Sequence, residues 1–290
     1  MSDPVPAVTE AGATGEIAHI FADIRHVYRV GVVNLIWRHL ATFPGALPWI
    51  WQSVRPLYVD GTIDREAAAL RASIALPGLP VFPPAALAAA GLSDRDAEQI
   101  RAVLAAYDRT NAMALIALSA VDCKIAGTGG ESESALVART EVPASSKAEL
   151  IMLPSLLSLA EMSPETAELV VTINHLGAQS DAPILASMYR HLAHWPPYLA
   201  LAWTMIAPLD ADARLDDAIS DALAKARAFG RRVATRLTTP SVTLAHAVRN
   251  DVSAALNCFT SDLIAKMVVI GALLRRATGP SPTENRSWAR

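Results

Sequence analysis

Cysteine is almost missing from this chain: only Cys123 and Cys258 occur in 290 residues. They stand far apart and outside any ligand spacing, which excludes a disulfide framework and a thiolate metal site. Both are read as reduced, buried thiols. Charge is also scarce, at 18% of residues with a net charge of −3, so the chain lacks the basic footprint of a nucleic-acid binder. Long apolar runs are lacking too. Residues 267–274 form one of the longest, and it stops well short of the ~18–20 residues that span a bilayer. The first ten residues have neither a basic stretch nor an apolar one, so no signal peptide is expected and the cytoplasm is the expected location.

What remains is apolar and rich in alanine: 52% hydrophobic residues and a mean hydropathy of +0.29. Alanine favours helix and lets helices approach closely. At this length about three quarters of the unfolded surface can be buried, so the core needs no metal or disulfide. Apolar residues recur at three- and four-residue steps over 16–28, 33–40, 64–74, 94–118 and 216–228, the period of amphipathic helices. Period-two alternation is nowhere sustained. Proline and glycine cluster between the segments, at 42–48, 77–84 and 195–197, as breakers do. The expected fold is all-α.

An internal repeat organises the chain. Arg38, His39, Leu40 and Ala41 recur as Arg190, His191, Leu192 and Ala193. The shift is 190 − 38 = 152, and it also pairs Trp51 with Trp203, Pro56 with Pro208 and Asp64 with Asp216. Further on the register is read as slipping to 257 − 111 = 146, which pairs Asn111 with Asn257. Two pseudo-symmetric helical repeats, 16–126 and 151–276, are expected to pack into one compact unit. A flexible start (1–15), a Gly/Ser/Glu-rich linker (127–150) and a tail (277–290) complete the division. A cleft between the repeats is the natural pocket.

The repeat sorts candidate residues. Arg38-His39 and Arg190-His191 occur twice, so they read as structural, capping helix C-termini; Trp51 and Trp203 read as core anchors. Asp181 has no acidic counterpart, since Arg29 stands opposite it at the same shift. It precedes the helix ending in Arg190-His191, where an aspartate is either an ordinary N-cap or an ionised general base facing the cleft. Asn111 falls mid-helix among apolar residues, where an amide needs a partner: a structural hydrogen bond or a water or substrate carboxylate. Asn257 has the same status. Trp37, one turn after Asn34, is core or a pocket wall. Other patterns fail. Asp210 and Asp212 follow no strand, Gly127 to Gly130 lack the strand and lysine of a phosphate loop, and His191 with His194 lacks a third ligand, so no metal site is expected.

The run 32–49, with Asn34, Trp37, Arg38, His39 and Pro44, resembles the N-terminal signature of the DehI-type (group I) 2-haloacid dehalogenases. The run 179–183 followed by Tyr189-Arg190-His191-Leu192 resembles that family's catalytic half, and the likeness extends from about Glu16 to Leu274. The resemblance implies a cofactor-free hydrolase in which an aspartate activates water for direct attack on C2 of a short 2-halo carboxylic acid, with inversion. On it, Asp181 is the base, Asn111 places the water, Ser180 lies near the substrate carboxylate and Trp37 walls the pocket. Asn34, Asn257, Thr260 and Ser261 complete the expected substrate-binding set. The face carrying Asn257, Thr260 and Ser261 is more polar than a halide cradle, which leaves open a strained ring such as an epoxide or aziridine as the electrophile. Non-catalytic binding of a small carboxylate by a helical protein is the other reading. The partner is a small carboxylate rather than nucleic acid or membrane, and the alanine-rich helices suit a homodimer.

Overall fold

The computed structural model describes residues 5–127, 152–241 and 243–279. Among these residues the chain is helical throughout, with no β-strand. The first helices are α1 (Gly15–Tyr28), α2 (Leu35–Leu40), α3 (Ala46–Val59), α4 (Thr62–Ser73), α5 (Pro84–Ala89) and α6 (Asp94–Ile125). Then come α7 (Pro164–His175), α8 (Ser187–Leu192), α9 (Pro196–Ala211), α10 (Arg214–Ala234), α11 (His246–Cys258) and α12 (Ala265–Thr278). A π-helical turn, Phe259–Ile264, joins α11 to α12 without a break. The expected linker lies almost entirely outside the described residues.

The long helix α6 is the axis of the molecule. Ser93 starts it with a capping box: its hydroxyl accepts from the Asp96 amide at 3.2 Å, and the Asp96 carboxylate accepts from the Ser93 amide at 2.9 Å. Such a box satisfies two amides that the helix itself leaves unpaired. From Thr110 to Val121 every residue of α6 is buried, so no side of it meets water. It packs chiefly against α10 and α12, and also against α4 and α11. The α10 contact is close. A Cβ placed on Gly230 would lie 2.6 Å from Ser119 Cβ and 3.0 Å from the Ala120 amide nitrogen, so glycine sets the distance between the two helices.

Several elements recur at one offset. Helices α2 and α8 begin 187 − 35 = 152 residues apart, α4 and α10 begin 214 − 62 = 152 apart, and α6 and α11 begin 246 − 94 = 152 apart. The far ends of the last pair differ by 278 − 125 = 153. One residue has been added, and a π turn is how a continuous helix absorbs one residue. Helices α1 and α7 begin 164 − 15 = 149 apart and α3 and α9 begin 196 − 46 = 150 apart, so 152 is one shift that helix starts support, and it gives pairings other than those of 146. On that shift Asn111 corresponds to Leu263 or Ile264, and Tyr107 corresponds to Phe259.

Three further expectations change. The continuous helix His246–Thr278 is long and apolar enough to cross a membrane, unlike any uninterrupted apolar run, but 72% of its apolar window is buried inside the protein. Cys258 is exposed and Cys123 half-buried. Trp51 is buried, its indole N–H donating to Asp23 at 2.7 Å, whereas Trp203 is 38% exposed and anchors no core.

The Gly230 contact yields a stability test. Gly230→Ala must push α10 from α6 against backbone rather than a flexible side-chain tip, and overpacking of this kind costs about 1–3 kcal/mol. Denaturant unfolding should show a lower midpoint at unchanged slope. A midpoint equal to or above that of the parent protein would mean that this crossing is not tight.

Candidate active site

A small cavity of about 40 Å³ lies where α2, α6, α8, the π turn and α12 meet. Two stretches 152 apart wall it: Asn34, Leu35 and Ile36 on one side, Ala186, Ser187 and Met188 on the other. The long helices supply Tyr107 and Asn111 from α6, and Phe259, Leu263, Ile264 and Met267 from the second copy. Corresponding positions differ in kind. Asn34 faces Ala186, Tyr107 faces Phe259, and Asn111 faces Leu263 or Ile264 in the 152-residue register. Asn34, Tyr107 and Asn111 thus supply most of the polar groups, Ser187 adds a hydroxyl, and the wall from 259 to 267 is apolar. None of the twelve lining residues carries a carboxylate.

Asn34 is the N-cap residue of α2 but makes no side-chain cap hydrogen bond. Asn111 is only 7% exposed. One turn earlier on the same face of α6, the Tyr107 hydroxyl lies 2.8 Å from His191 Nδ1. His191 is 1% exposed, and burial pushes its pKa down to about 4, with the nearby His194 and Arg190 acting in the same direction. It is therefore neutral across the physiological range. Burial pushes the Tyr107 phenol well up, against the lowering influence of Arg190, Arg38 and Ser187, so the phenol keeps its proton.

The segment entering α8 is held from behind. Asn174 Oδ1 accepts from the Ala186 amide at 3.0 Å, and its Nδ2 donates to the Ile184 carbonyl at 3.3 Å. Lys266, fully buried, donates to the Asn174 carbonyl at 2.7 Å. Burial lowers the Lys266 pKa to about 8, against the raising influence of Asp262 and Asp210. This buried cluster fixes Ala186, and with it the place of Ser187 and Met188 on the cavity wall.

The structure separates the expected site residues. Asn34 and Asn111 line the cavity together. Asp181 does not: it is exposed in a bend six residues ahead of Ser187, where α8 begins, and the N-cap of α8 is Ala186. Proline at 183 and the extended chain after it carry 181 away from the helix start. Ser180 is exposed and its hydroxyl accepts from the Ala182 amide at 3.2 Å. Asn257 is exposed and, with Ser261, faces Arg227. Thr260 is buried, but its hydroxyl donates to the Leu256 carbonyl at 2.8 Å. These three lie off the cavity wall, which Phe259, Leu263 and Ile264 line instead, so that side of it is apolar. Trp37 is fully buried one layer back, donating to the Tyr28 hydroxyl at 3.1 Å.

The Arg-His pairs are not C-terminal caps of one kind. His39 Nδ1 pairs with the Pro6 carbonyl at 2.7 Å, whereas His191 turns to Tyr107. Sequence reading missed Tyr107, Ser187 and His191. The difference between Tyr107 and Phe259 would have stood out had the 152-residue register been kept.

The chain is an all-helical protein with a small cavity, apolar on one side and lined on the other by amides and hydroxyls, and no group of three potential metal ligands occurs among the described residues. No family model matches the chain. Over 223 residues, 74% of each sequence, it is 27% identical to a configuration-inverting 2-haloacid dehalogenase of Alcaligenes xylosoxydans xylosoxydans. Over 208 residues it is 26% identical to another of the same description from Pseudomonas sp. (strain 113), covering 68% of this chain and 65% of the relative. In fold it matches a D-2-haloacid dehalogenase mutant with a TM-score of 0.78 at 20% identity, covering 94% of this chain and 96% of the other. A complex of D-2-haloacid dehalogenase with L-LA matches at a TM-score of 0.72 and 21% identity, with the same coverage. The chain is thus similar in sequence to configuration-inverting 2-haloacid dehalogenases and shares the fold of D-2-haloacid dehalogenase.

The buried imidazole makes stability depend on pH. His191 binds its proton at about 4 when folded and near 6.5 when unfolded. Between those values the unfolded chain holds more protons, so stability rises with pH across the window and is lost as pH falls through it. The full effect is on the order of 3 kcal/mol. His191→Gln should flatten the fall in melting temperature between pH 6.5 and 4.5. An unchanged slope would show that His191 titrates normally.

Proposed function

We propose that the chain hydrolyses the carbon–halogen bond of short 2-halo carboxylic acids by direct attack of water on C2, with inversion. The sequence relationship to inverting 2-haloacid dehalogenases over 74% of the chain carries this reading. The cavity supports it independently. Its lining, amide and hydroxyl on one side and apolar on the other, suits a small acid rather than a large ligand.

Its two sides suit the two ends of such a molecule. The halogen is large, polarisable and poorly hydrated, and Phe259, Leu263, Ile264 and Met267 offer it an apolar wall. The carboxylate needs donors. Ser187, Asn34 and Asn111 can supply them, and Arg38 and Arg190 add the positive field already felt by Tyr107. Asn111 can also accept one proton of a water through its carbonyl oxygen while donating through its amide, which fixes the water's lone pair in direction. Alignment of nucleophile, C2 and leaving halide is where enclosure contributes most.

Each enantiomer of 2-chloropropionate, incubated with the folded protein, should yield chloride and lactate in equal amounts from at least one of them, with the configuration reversed. Asn111→Ala should reduce kcat/KM by roughly 10²-fold, the usual loss when one positioned polar group goes, whereas Asn257→Ala should leave it within about twofold. Folded protein that releases no halide from either enantiomer would exclude this substrate class.

A further inference from the structure

Eleven residues, 176–186, join α7 to α8, whereas six, 29–34, join α1 to α2. The longer connection is tied at both ends by helix-borne side chains. Asp210 on α9 accepts from the Gly177 amide at 2.7 Å, and Asp262 in the π turn accepts from the Gln179 amide at 3.2 Å. Asn174, near the end of α7, holds the Ile184 carbonyl and the Ala186 amide. Between these ties Ser180, Asp181 and Ala182 are exposed, and the hydrogen bond described among them is internal, from the Ala182 amide to the Ser180 hydroxyl.

One cation stands behind all three tying side chains. Lys266 of α12 is fully buried and donates to the Asn174 carbonyl at 2.7 Å, and the charged groups that act on it are Asp262 and Asp210. The next residue, Met267, lines the cavity, so one turn of α12 meets both the supports of the connection and the substrate wall. A buried ammonium is costly even when paired. Beside the shorter connection no such charge is needed. Counted at the 153-residue shift of the long helix ends, Lys266 falls on Met113, and at 152 Asp210 falls on Tyr58. There the Tyr28 and Tyr58 hydroxyls pair at 2.6 Å, and Tyr58 donates to the Met113 carbonyl at 3.4 Å. Neutral hydroxyls serve the short connection, and an ammonium with two carboxylates serves the long one. A use for buried charge is to fix one arrangement where packing alone allows several.

We propose that Lys266 is a positioning residue for the hydrolysis: its ammonium, through Asn174, Asp210 and Asp262, sets both ends of the connection 176–186 and with them the reach of Asp181 toward the cavity. This rests on the hydrolytic reading above, with Asp181 as the water-activating base that the family resemblance assigns. Fixed ends leave only the tip, 180–182, to turn, which confines the base to few positions, and alignment of this kind carries much of an enzyme's rate. The groups facing the ammonium are Asp262 from the π turn, Asp210 from α9 and the Asn174 carbonyl from α7. Burial brings its pKa to about 8 against the raising influence of the two carboxylates. Loss of the proton above that value leaves both carboxylates without their cation and loosens the ties at 177 and 179. Stability moves the other way. The unfolded lysine titrates near 10.5, so between 8 and 10.5 the unfolded chain holds more protons and this group's contribution to stability rises with pH. Turnover falls over the same interval, whereas a group that only stabilised the fold would move both together.

The test follows kcat for 2-chloropropionate across the alkaline range. In the parent protein kcat should fall above pH 8 by about tenfold per pH unit, with KM changed less than threefold. Asp262→Asn keeps an acceptor for the Gln179 amide but removes a charge that raises the Lys266 pKa, so the fall should begin at lower pH. Lys266→Met should lower kcat by about 10²-fold, as misplacement of a reacting group does, and should abolish the alkaline fall. Should Lys266→Met fail to fold, Asp262→Asn still decides the matter. Amide hydrogen exchange reads the connection without substrate. Protection factors of Gly177 and Gln179 should drop in the parent protein as pH passes 8. An alkaline fall that stays in place in Asp262→Asn, or protection that does not respond to pH, overturns the proposal. The drop in protection without halide release at any pH overturns only the hydrolytic reading.

Discussion

Burial of the middle of α6, complete on every side from Thr110 to Val121, is the constraint from which the rest follows. A helix that meets no water must dispose of every polar side chain it carries. Besides half-buried Arg109, which pairs with Asp64 and the Tyr28 carbonyl, there are four along 107–111. Asp108 is held by Arg71 at 2.8 Å and Arg275 at 2.9 Å. Thr110 returns its hydroxyl to the Ala106 carbonyl at 2.8 Å. Tyr107 goes to His191, and Asn111 borders the cavity. The first two are closed, their bonding complete within the protein. The other two stand on one face, four residues apart, where α12 leaves room for a small molecule. An active site here is what remains when a fully buried helix has paired its other polar side chains.

Much of the fold could be read from periodicity. The segments 16–28 and 33–40 correspond closely to α1 and α2, and the reading of 94–118 falls inside α6, which runs one to two turns further. The proline and glycine clusters do mark connections. The site was less legible, for a definite physical reason. The sequence places Asn111 near Asn257 at a shift of 146 because the two are identical, but identity is a weak guide when one inserted residue can be absorbed by a π turn. Asn257, Thr260 and Ser261, read as a polar face, lie off the cavity, and Phe259, Leu263 and Ile264 line it instead.

Asp181 shows a second limit. Its sequence context, an aspartate followed two positions later by Pro183, is a sound helix-start signal, and the helix it would start is real. Yet α8 begins only at Ser187. Asn174 accounts for the delay: it ties down the Ile184 carbonyl and the Ala186 amide, which holds 183–186 extended. No local pattern at 181 could reveal a clamp supplied by residue 174 and backed by residue 266. Asn34 and Asn111 do border the cavity, and the signal at 111, an amide among apolar residues, survives whatever the distant chain does.

The same physics bears on how one copy-pair can hold a single centre. A cavity between equivalent surfaces begins with equivalent walls, and a molecule with one charged end and one apolar leaving group binds poorly between like walls. Asymmetry must be introduced without disturbing the packing that encloses the cavity. Tyrosine against phenylalanine at 107 and 259, and asparagine against leucine or isoleucine at 111 and 263–264, do this with modest changes of volume. The halves can therefore keep the same helix starts while the chemistry moves to one side. A carboxylate on this wall would supply basicity but would also repel the substrate's own charge in a low-dielectric space. Neutral side chains on this wall avoid that repulsion, and Arg38 and Arg190 add a positive field at Tyr107.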